Sequence, residues 1–298
     1  GILCTTRYVR LIREGKMRPN MSINVIRDNG TVAVWDGNHS SGQILGYRAM
    51  EDAIKKAKKH GVGVVCVKGA NHFGALAYYS QMAQKQGLIG TTLGTGDSTM
   101  APWGGCEKVI GNNPISVAAP ARNEVSPVLD MAMTVVANGK VSNMRRQGVT
   151  ELPPGWGLDK EGVPTTKMED CYTISPMAGY KGWGMAVMVD ILAGVLFGGG
   201  TGDRAKDNQD GPSLMMIALD IDAFNDKEKY YEDVDARIKE LKASKKAKNS
   251  KGILMPGEIE ANAFAQAEKS GFVPVLPENL KMVNDLAVEM GIEPISYT

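Results

Sequence analysis

The feature that most constrains the fold is the run Val62-Gly63-Val64-Val65-Cys66-Val67, followed after a glycine break by helical spacing. A short, β-branched, apolar run reads as a buried strand. Beyond the break, Leu76, Tyr79 and Ala83 recur at helical intervals, and Gly87 can stop that helix in a left-handed cap. Between the two lies Asn71-His72-Phe73-Gly74. The pattern predicts His72 where a strand gives way to a helix N-terminus. The partial positive charge there would hold the imidazole neutral, as a general base requires. The free N–H groups of such a terminus can also receive a carboxylate or phosphate. A packed loop histidine is the competing reading.

Composition narrows the function classes. The chain has 298 residues and 43% hydrophobic content, enough for a substantial core and two subdomains. A net charge of +1 supplies no basic field for nucleic acid. The one strongly basic segment, Lys239 to Lys251, reads as a solvated helix end and loop. Cys4, Cys66, Cys106 and Cys171 form no paired spacing, and His39, His60 and His72 lack metal-site spacing. No metal site and a reducing cytoplasm are therefore expected. The most apolar stretch, Met185 to Phe197, carries Asp190 in its middle and is short for a bilayer span. It reads as a buried core helix, so no membrane partner is expected. The chain opens at Gly1 with no initiator methionine, consistent with a processed or truncated form.

Periodicity gives the rest of the outline. A short helix is predicted over Arg7 to Lys16, and a hairpin over Ile23 to Trp35 around Asp28-Asn29-Gly30. A helix follows with Tyr47, Met50, Ile54 and Ala57 on its inner face and Lys55, Lys56, Lys58 and Lys59 in its last turns. Strands are predicted near Leu88–Leu93, Ile115–Ala119, Val128–Ala132 and Leu214–Ile221, and helices near Gly182–Phe197, Asp226–Leu241 and Asn279–Met290. So many consecutive strands point to an α/β or α+β chain rather than an alternating doubly wound sheet.

Several segments could carry chemistry. Gly200-Thr201-Gly202-Asp203-Arg204-Ala205 satisfies a dinucleotide fingerprint by letter, but it follows a helix instead of a strand, so a Rossmann fold is not supported. In Gly179-Tyr180-Lys181-Gly182 a single cation stands among glycines that permit close backbone approach to a ligand. Lys181 can meet a phosphate or carboxylate, could form a Schiff base in pyridoxal chemistry, or could simply snorkel from a helix start. Asp190 within an apolar run needs a partner and can be a helix-to-loop tether. Asp130 ends a strand, where ligand loops or turn caps both occur.

Taken together, the ordered motifs resemble one family. They are Asn71-His72-Phe73-Gly74, Ala101-Pro102-Trp103-Gly104-Gly105, Gly111-Asn112-Asn113-Pro114-Ile115 and Leu129-Asp130-Met131-Ala132. Gly139-Lys140, Gly155-Trp156-Gly157, Pro164-Thr165-Thr166, Gly179-Tyr180-Lys181-Gly182 and Met255-Pro256-Gly257-Glu258 complete the series. The resemblance is to the non-Rossmann malate/L-lactate dehydrogenases, with their ureidoglycolate, sulfolactate and diketogulonate relatives. It implies a cytoplasmic homodimer that uses NAD or NADP on a small 2-hydroxy or 2-oxo acid, malate or lactate first. The fold it implies is a mixed, largely antiparallel cofactor sheet plus a helical substrate and dimerisation part. The corresponding division is 1–70 for substrate and dimerisation, 71–212 for cofactor, and 213–298 completing the fold. The resemblance assigns His72 to acid–base catalysis, and Arg7, Asn71 and Ser98 to the substrate. Gly96, Asp97, Asp130, Met131, Ala132, Lys181, Pro256, Gly257 and Glu258 fall to the cofactor. Two departures stand out. The chain begins at the glycine of the family's Ser-His-Gly, and Cys4 occupies a position where an arginine is usual, with Arg7 the nearest replacement. A cyclic imino acid or keto sugar acid reductase, and a non-catalytic nucleotide-binding remnant, are the alternatives.

Overall fold

A computed structural model of the chain describes residues 2–206 and 210–296. Gly1, assigned above to the Ser-His-Gly motif, lies outside the described residues. The chain enters through helix α1 (Thr5–Arg13) and then forms the hairpin strands β1 (Asn24–Asp28) and β2 (Val32–Ser40). The Asp28-Asn29-Gly30 turn closes this hairpin: Gly30 has φ +92, and its N–H donates to Asp28 Oδ1 at 2.9 Å. Helix α2 (Gly42–His60) crosses over to β3 (Val62–Ala70), which pairs with β2 in parallel. Then come α3 (Ala77–Gln84), β4 (Leu88–Gly94) and the two-strand pair β5 (Ser98–Met100) and β6 (Ile110–Gly111). Strands β7 (Ile115–Ala118) and β8 (Val128–Met131) follow, and α4 (Asn138–Arg146) opens a small lobe. That lobe holds β9 (Gly157–Leu158), β10 (Pro164–Thr165) and β11 (Thr173–Ile174) around a core of Val136, Val141, Leu152, Met168 and Ile174. The chain returns through α5 (Tyr180–Ala193) and β12 (Leu214–Asp220), and ends in α6 (Lys227–Ala243), α7 (Glu258–Ser270) and α8 (Pro277–Glu289).

The main sheet has the order β1-β2-β3-β12-β4-β7-β8, with β2–β3 its one parallel pairing among the described residues. This is the mixed, largely antiparallel sheet expected. It draws strands from each of the spans 1–70, 71–212 and 213–298.

Three expectations need correcting. Met50, Ile54 and Ala57 of α2 are buried, but Tyr47 is 37% exposed, because the inner stripe runs through Leu45, Ala49 and Ala53 instead. Lys56, grouped above with the last-turn lysines, is instead buried and donates to both Asp28 carboxylate oxygens at 2.7 and 2.8 Å. Helix α5 is buried on one side only. Ala186, Val189 and Ala193 pack inward, while Met185, Met188, Ile191 and Leu192 are exposed. By length and composition, Tyr180–Phe197 could cross a membrane, but Asp190 and the packed inner stripe bind it to the sheet.

Candidate active site

Strand directions bring distant segments to one end of the sheet. Strands β2 and β3 run parallel, and β12 opposes both β3 and β4, so β2, β3 and β4 all finish on the same side. The register Leu214↔Val67 and Leu214↔Gly94 puts the start of β12 there, and Ile115↔Met131 adds the end of β8. Side-chain and backbone bonds lock these ends together. Thr95 N donates to Ser213 O at 2.9 Å, and Thr95 Oγ1 donates to Gly200 O at 2.8 Å. Gly94 N donates to Pro114 O at 3.1 Å. Asn71, His72, Gly96, Asp97, Ser98, Met131 and Ala132 therefore gather at one sheet end, although 61 residues (132 − 71) separate the first from the last.

His72 is not at the helix N-terminus. Helix α3 starts at Ala77, and its first N–H donates to Asp130 Oδ2 at 2.9 Å. The dipole end is thus satisfied by Asp130. The intervening loop turns at Gly74 (φ +79) so that Phe73 and Leu76 can be buried, and Tyr79 Oη donates to Phe73 O at 2.5 Å. Phe73 packs under the next loop: its ring would lie 3.6 Å from a Cβ placed on Gly94.

The polarity around His72 comes from α1 and α2 instead. Tyr8 Oη lies 2.7 Å from His72 Nδ1, and Gln43 Nε2 donates to the same hydroxyl at 2.6 Å. Ser41 Oγ in turn donates to Gln43 Oε1 at 2.7 Å. Burial, reinforced by Cys4, raises the Tyr8 phenol well above its ordinary pKa. Arg7 adjoins Tyr8 in α1 and opposes that shift through its charge.

The other assigned residues sit as follows. Asn71 is fully buried, and its amide donates to His39 O at 2.8 Å, clamping the end of β2 to the histidine loop. Gly96 N donates to Asn113 Oδ1 at 3.2 Å. Asn113, itself fully buried with φ +32, donates to Ala186 O and to Asp190 Oδ1, both at 2.8 Å. Asp190 is thus the tether expected. Ser98 lies close to Asp203, whose carboxylate is held below the usual range by Lys206 and then by Ser98. Lys181 is exposed at the start of α5, next to Gly182, whose missing Cβ accommodates the Met133 and Met177 carbonyls.

Pro256, Gly257 and Glu258 stand apart from the rest. Val128 N donates to Pro256 O at 2.9 Å, and Gly257 (φ +81) leaves room for the Val128 carbonyl. Val128 opens β8, so this loop lies three residues, or about 10 Å, from the Met131 end. Lys242 beside Glu258, at 2.8 Å, holds its carboxyl below the ordinary glutamate value.

A cleft of about 760 Å³ opens next to the α5 start, lined by residues that include Trp103, Cys106, Val135, Gly155, Pro164 and Gly179. Most of these belong to motifs singled out above. His72 does not line it. Tyr8, Gln43 and Asn113 were missed as site residues. Tyr8 reads only as an apolar helix position, whereas Asn113 stood within Gly-Asn-Asn-Pro and could have been singled out.

Comparison with known proteins identifies the family. Malate dehydrogenase of Pyrococcus horikoshii is 35% identical over 306 residues, covering 98% of this chain and 84% of that protein. The NAD(+) ureidoglycolate dehydrogenase of Escherichia coli K12 is 34% identical over 264 residues, covering 87% of this chain and 75% of its own. The structure of sulfolactate dehydrogenase from Methanocaldococcus jannaschii superposes with a TM-score of 0.88 at 33% identity, covering 98% of this chain and 86% of that one. The family described as malate/L-lactate dehydrogenase matches residues 1–284. The chain belongs to the malate/L-lactate dehydrogenase family.

Proposed function

We propose that this dehydrogenase transfers a hydride between NAD or NADP and a small 2-hydroxy acid and its 2-oxo acid, with malate or lactate the leading substrates. The observation that carries the reading is the meeting of a Tyr8-held His72 with the Gly96–Ser98 and Met131–Ala132 segments at one sheet end. The residues present fit a nicotinamide nucleotide. Ala178 and Gly179 both take positive φ just before α5, whose first turn has no side-chain cap, and Lys181 follows. Gly179 N and Gly182 N donate to Pro176 O and Met177 O, so it is the Lys181 cation at this turn that suits a phosphate. Gly96, Asp97, Asp130, Met131, Ala132, Pro256, Gly257 and Glu258 are assigned with Lys181 to the cofactor. The nicotinamide, when bound, accepts or supplies the hydride.

His72 takes the hydroxyl proton as the substrate carbon is oxidised, and returns it on reduction. Arg7 pairs with the substrate carboxylate, and Ser98 and Asn71 complete the substrate wall, Asn71 chiefly by holding the loop in place. The spans 1–70, 71–212 and 213–298 divide these tasks while sharing one sheet. A homodimer in the cytoplasm completes the reading, supported by the exposed apolar side of α5.

The test is nucleotide oxidation across a panel of 2-oxo acids with both nucleotides. His72→Ala should lower kcat by about 10²–10⁴-fold. Turnover near the wild-type value would overturn the assignment.

A further inference from the structure

The motif Gly111-Asn112-Asn113-Pro114 has no task in the reaction described above. We propose that Asn113 is a positioning residue for the nucleotide: its side-chain amide ties the Gly96–Ser98 segment to helix α5 and so sets the spacing between two parts of the cofactor site. The inference rests on the assignment of Gly96, Asp97 and Lys181 to the nucleotide.

Three consecutive residues each hold a different segment. Asn112 O accepts from Met133 N at 2.8 Å, just beyond Met131–Ala132, and Pro114 O accepts from Gly94 N at 3.1 Å. Between them, Asn113 Oδ1 accepts from Gly96 N at 3.2 Å. Asn113 Nδ2 donates to Ala186 O and to Asp190 Oδ1, both at 2.8 Å. These partners fix which way the amide points. A backbone N–H can only donate and a backbone carbonyl only accept, so Oδ1 faces Gly96 and Nδ2 faces Ala186. Asn113 is fully buried, so losing its side chain leaves Gly96 N without a partner.

The local sequence suits this arrangement. Asn113 takes φ +32, a left-handed conformation that asparagine adopts more readily than most residues. Gly111 lacks the Cβ that would run into Asn113 Oδ1 and Gly96 O. The motif also reaches the Lys181 turn through backbone: Met133 O accepts from Met177 N at 2.8 Å, and Met177 O accepts from Gly182 N at 2.9 Å. The end of β8, the Gly96 segment and the start of α5 thus share one hub. A hydrocarbon side chain could fill space beside Met100, Ile110, Met133 and Ala186, but an amide adds a fixed geometry between loop and helix.

The experiment is titration with NADH and with NADPH, followed by nucleotide fluorescence without any 2-oxo acid, alongside thermal melts. Asn113→Gly keeps the left-handed backbone and removes all three bonds, and should weaken the nucleotide that wild type binds about tenfold. Exchanging the two side chains, Asn113→Asp with Asp190→Asn, leaves an oxygen for Gly96 N and re-forms the bond between them in reverse. The exchange should restore affinity to within about threefold of wild type. Met216→Ala, in the core under α2 and α3, should lower the melt without weakening nucleotide. If Asn113→Gly does not fold, Asp190→Leu removes one bond to α5 and should weaken binding about threefold. Wild-type affinity in Asn113→Gly, or in Asp190→Leu where that variant stands in, overturns the inference. So does equal weakening by Met216→Ala, or an exchange variant as weak as Asn113→Gly. Failure of the wild type to bind either nucleotide would instead overturn the dehydrogenase reading on which the inference stands.

Discussion

The two faces of the main sheet are made by the same strands and finished differently. Along β12, Leu214, Met216 and Ala218 join the cluster under α2 and α3, while Met215 and Ile217 join the one under α5. Strand β3 divides the same way, with Val65 and Val67 on the first side and Val64 and Cys66 on the second. The first side is sealed by two helices whose inner stripes are almost wholly buried. The second carries a single helix with its outer side bare, and Lys181, assigned to the cofactor, stands in the first turn of that helix. A face completed by its own chain provides stability, whereas one left incomplete keeps room for ligands or another subunit.

Truncation of matched methionines is the strongest way to break this comparison. Met216 is fully buried on the sealed side, so Met216→Ala should cost about 2–5 kcal/mol in chemical denaturation. Met188, 49% exposed on the outer side of α5, should change stability by less than about 0.5 kcal/mol when replaced by alanine. A comparable loss at Met188 would mean that the bare side is covered in the native assembly.

Glycine pairs sharpen the same contrast at smaller scale. Gly63 lets α2 sit directly on β3, because an added Cβ would strike the Ala53 carbonyl and press on Ala57 N and Lys56 Cβ at 2.8 Å. Backbone cannot swing aside as a side-chain tip can, so Gly63→Ala should cost about 1–3 kcal/mol. Gly184 on α5 meets nothing within 4 Å, and Gly184→Ala should raise stability by about 0.5–1 kcal/mol through helix propensity alone. Thermal melts of the two variants should move in opposite directions. Movement of both downward would remove the distinction.

How far the sequence reveals this architecture follows the same division. The sealed side is legible because period decides it: the β-branched run of β3 and the stripe Leu76, Tyr79, Ala83 of α3 are buried as their spacing predicts. The hairpin at Asp28-Asn29-Gly30 is legible from turn chemistry. Helix α5 misleads because apolar composition cannot distinguish a buried side from a bare one. Helices α4 and α7 escape notice because neither has a strong apolar stripe: α4 buries only Val141 and α7 nothing. At the candidate site, the family resemblance names His72 and the Gly96–Ser98 segment, but not what holds them. The Tyr8–His72 bond joins residues 64 apart, and no local pattern encodes it. Asp130 illustrates the same limit: it caps a helix 53 residues away, which moved the dipole end from His72.

The smallest effect concerns the polar pin between the two regions. Asp190 on α5 is half-buried, and burial raises its carboxyl above the usual aspartate range, with the Asn113 amide partly offsetting this. A raised folded-state pKa means that the native protein favours the protonated acid. Its contribution is therefore fully present below the unfolded pKa, about 3.9, and is lost as pH rises through the higher folded value. Asp190→Asn keeps an oxygen for Asn113 to donate to and removes the charge. The variant should melt above wild type at neutral pH, with the gain shrinking to nothing near pH 3, where both side chains are uncharged. A loss at neutral pH would show that the ionised carboxylate is needed. Asn113 also holds Gly96, so the pin on α5 would then be set for the loop at the site and not for the packing of the helix.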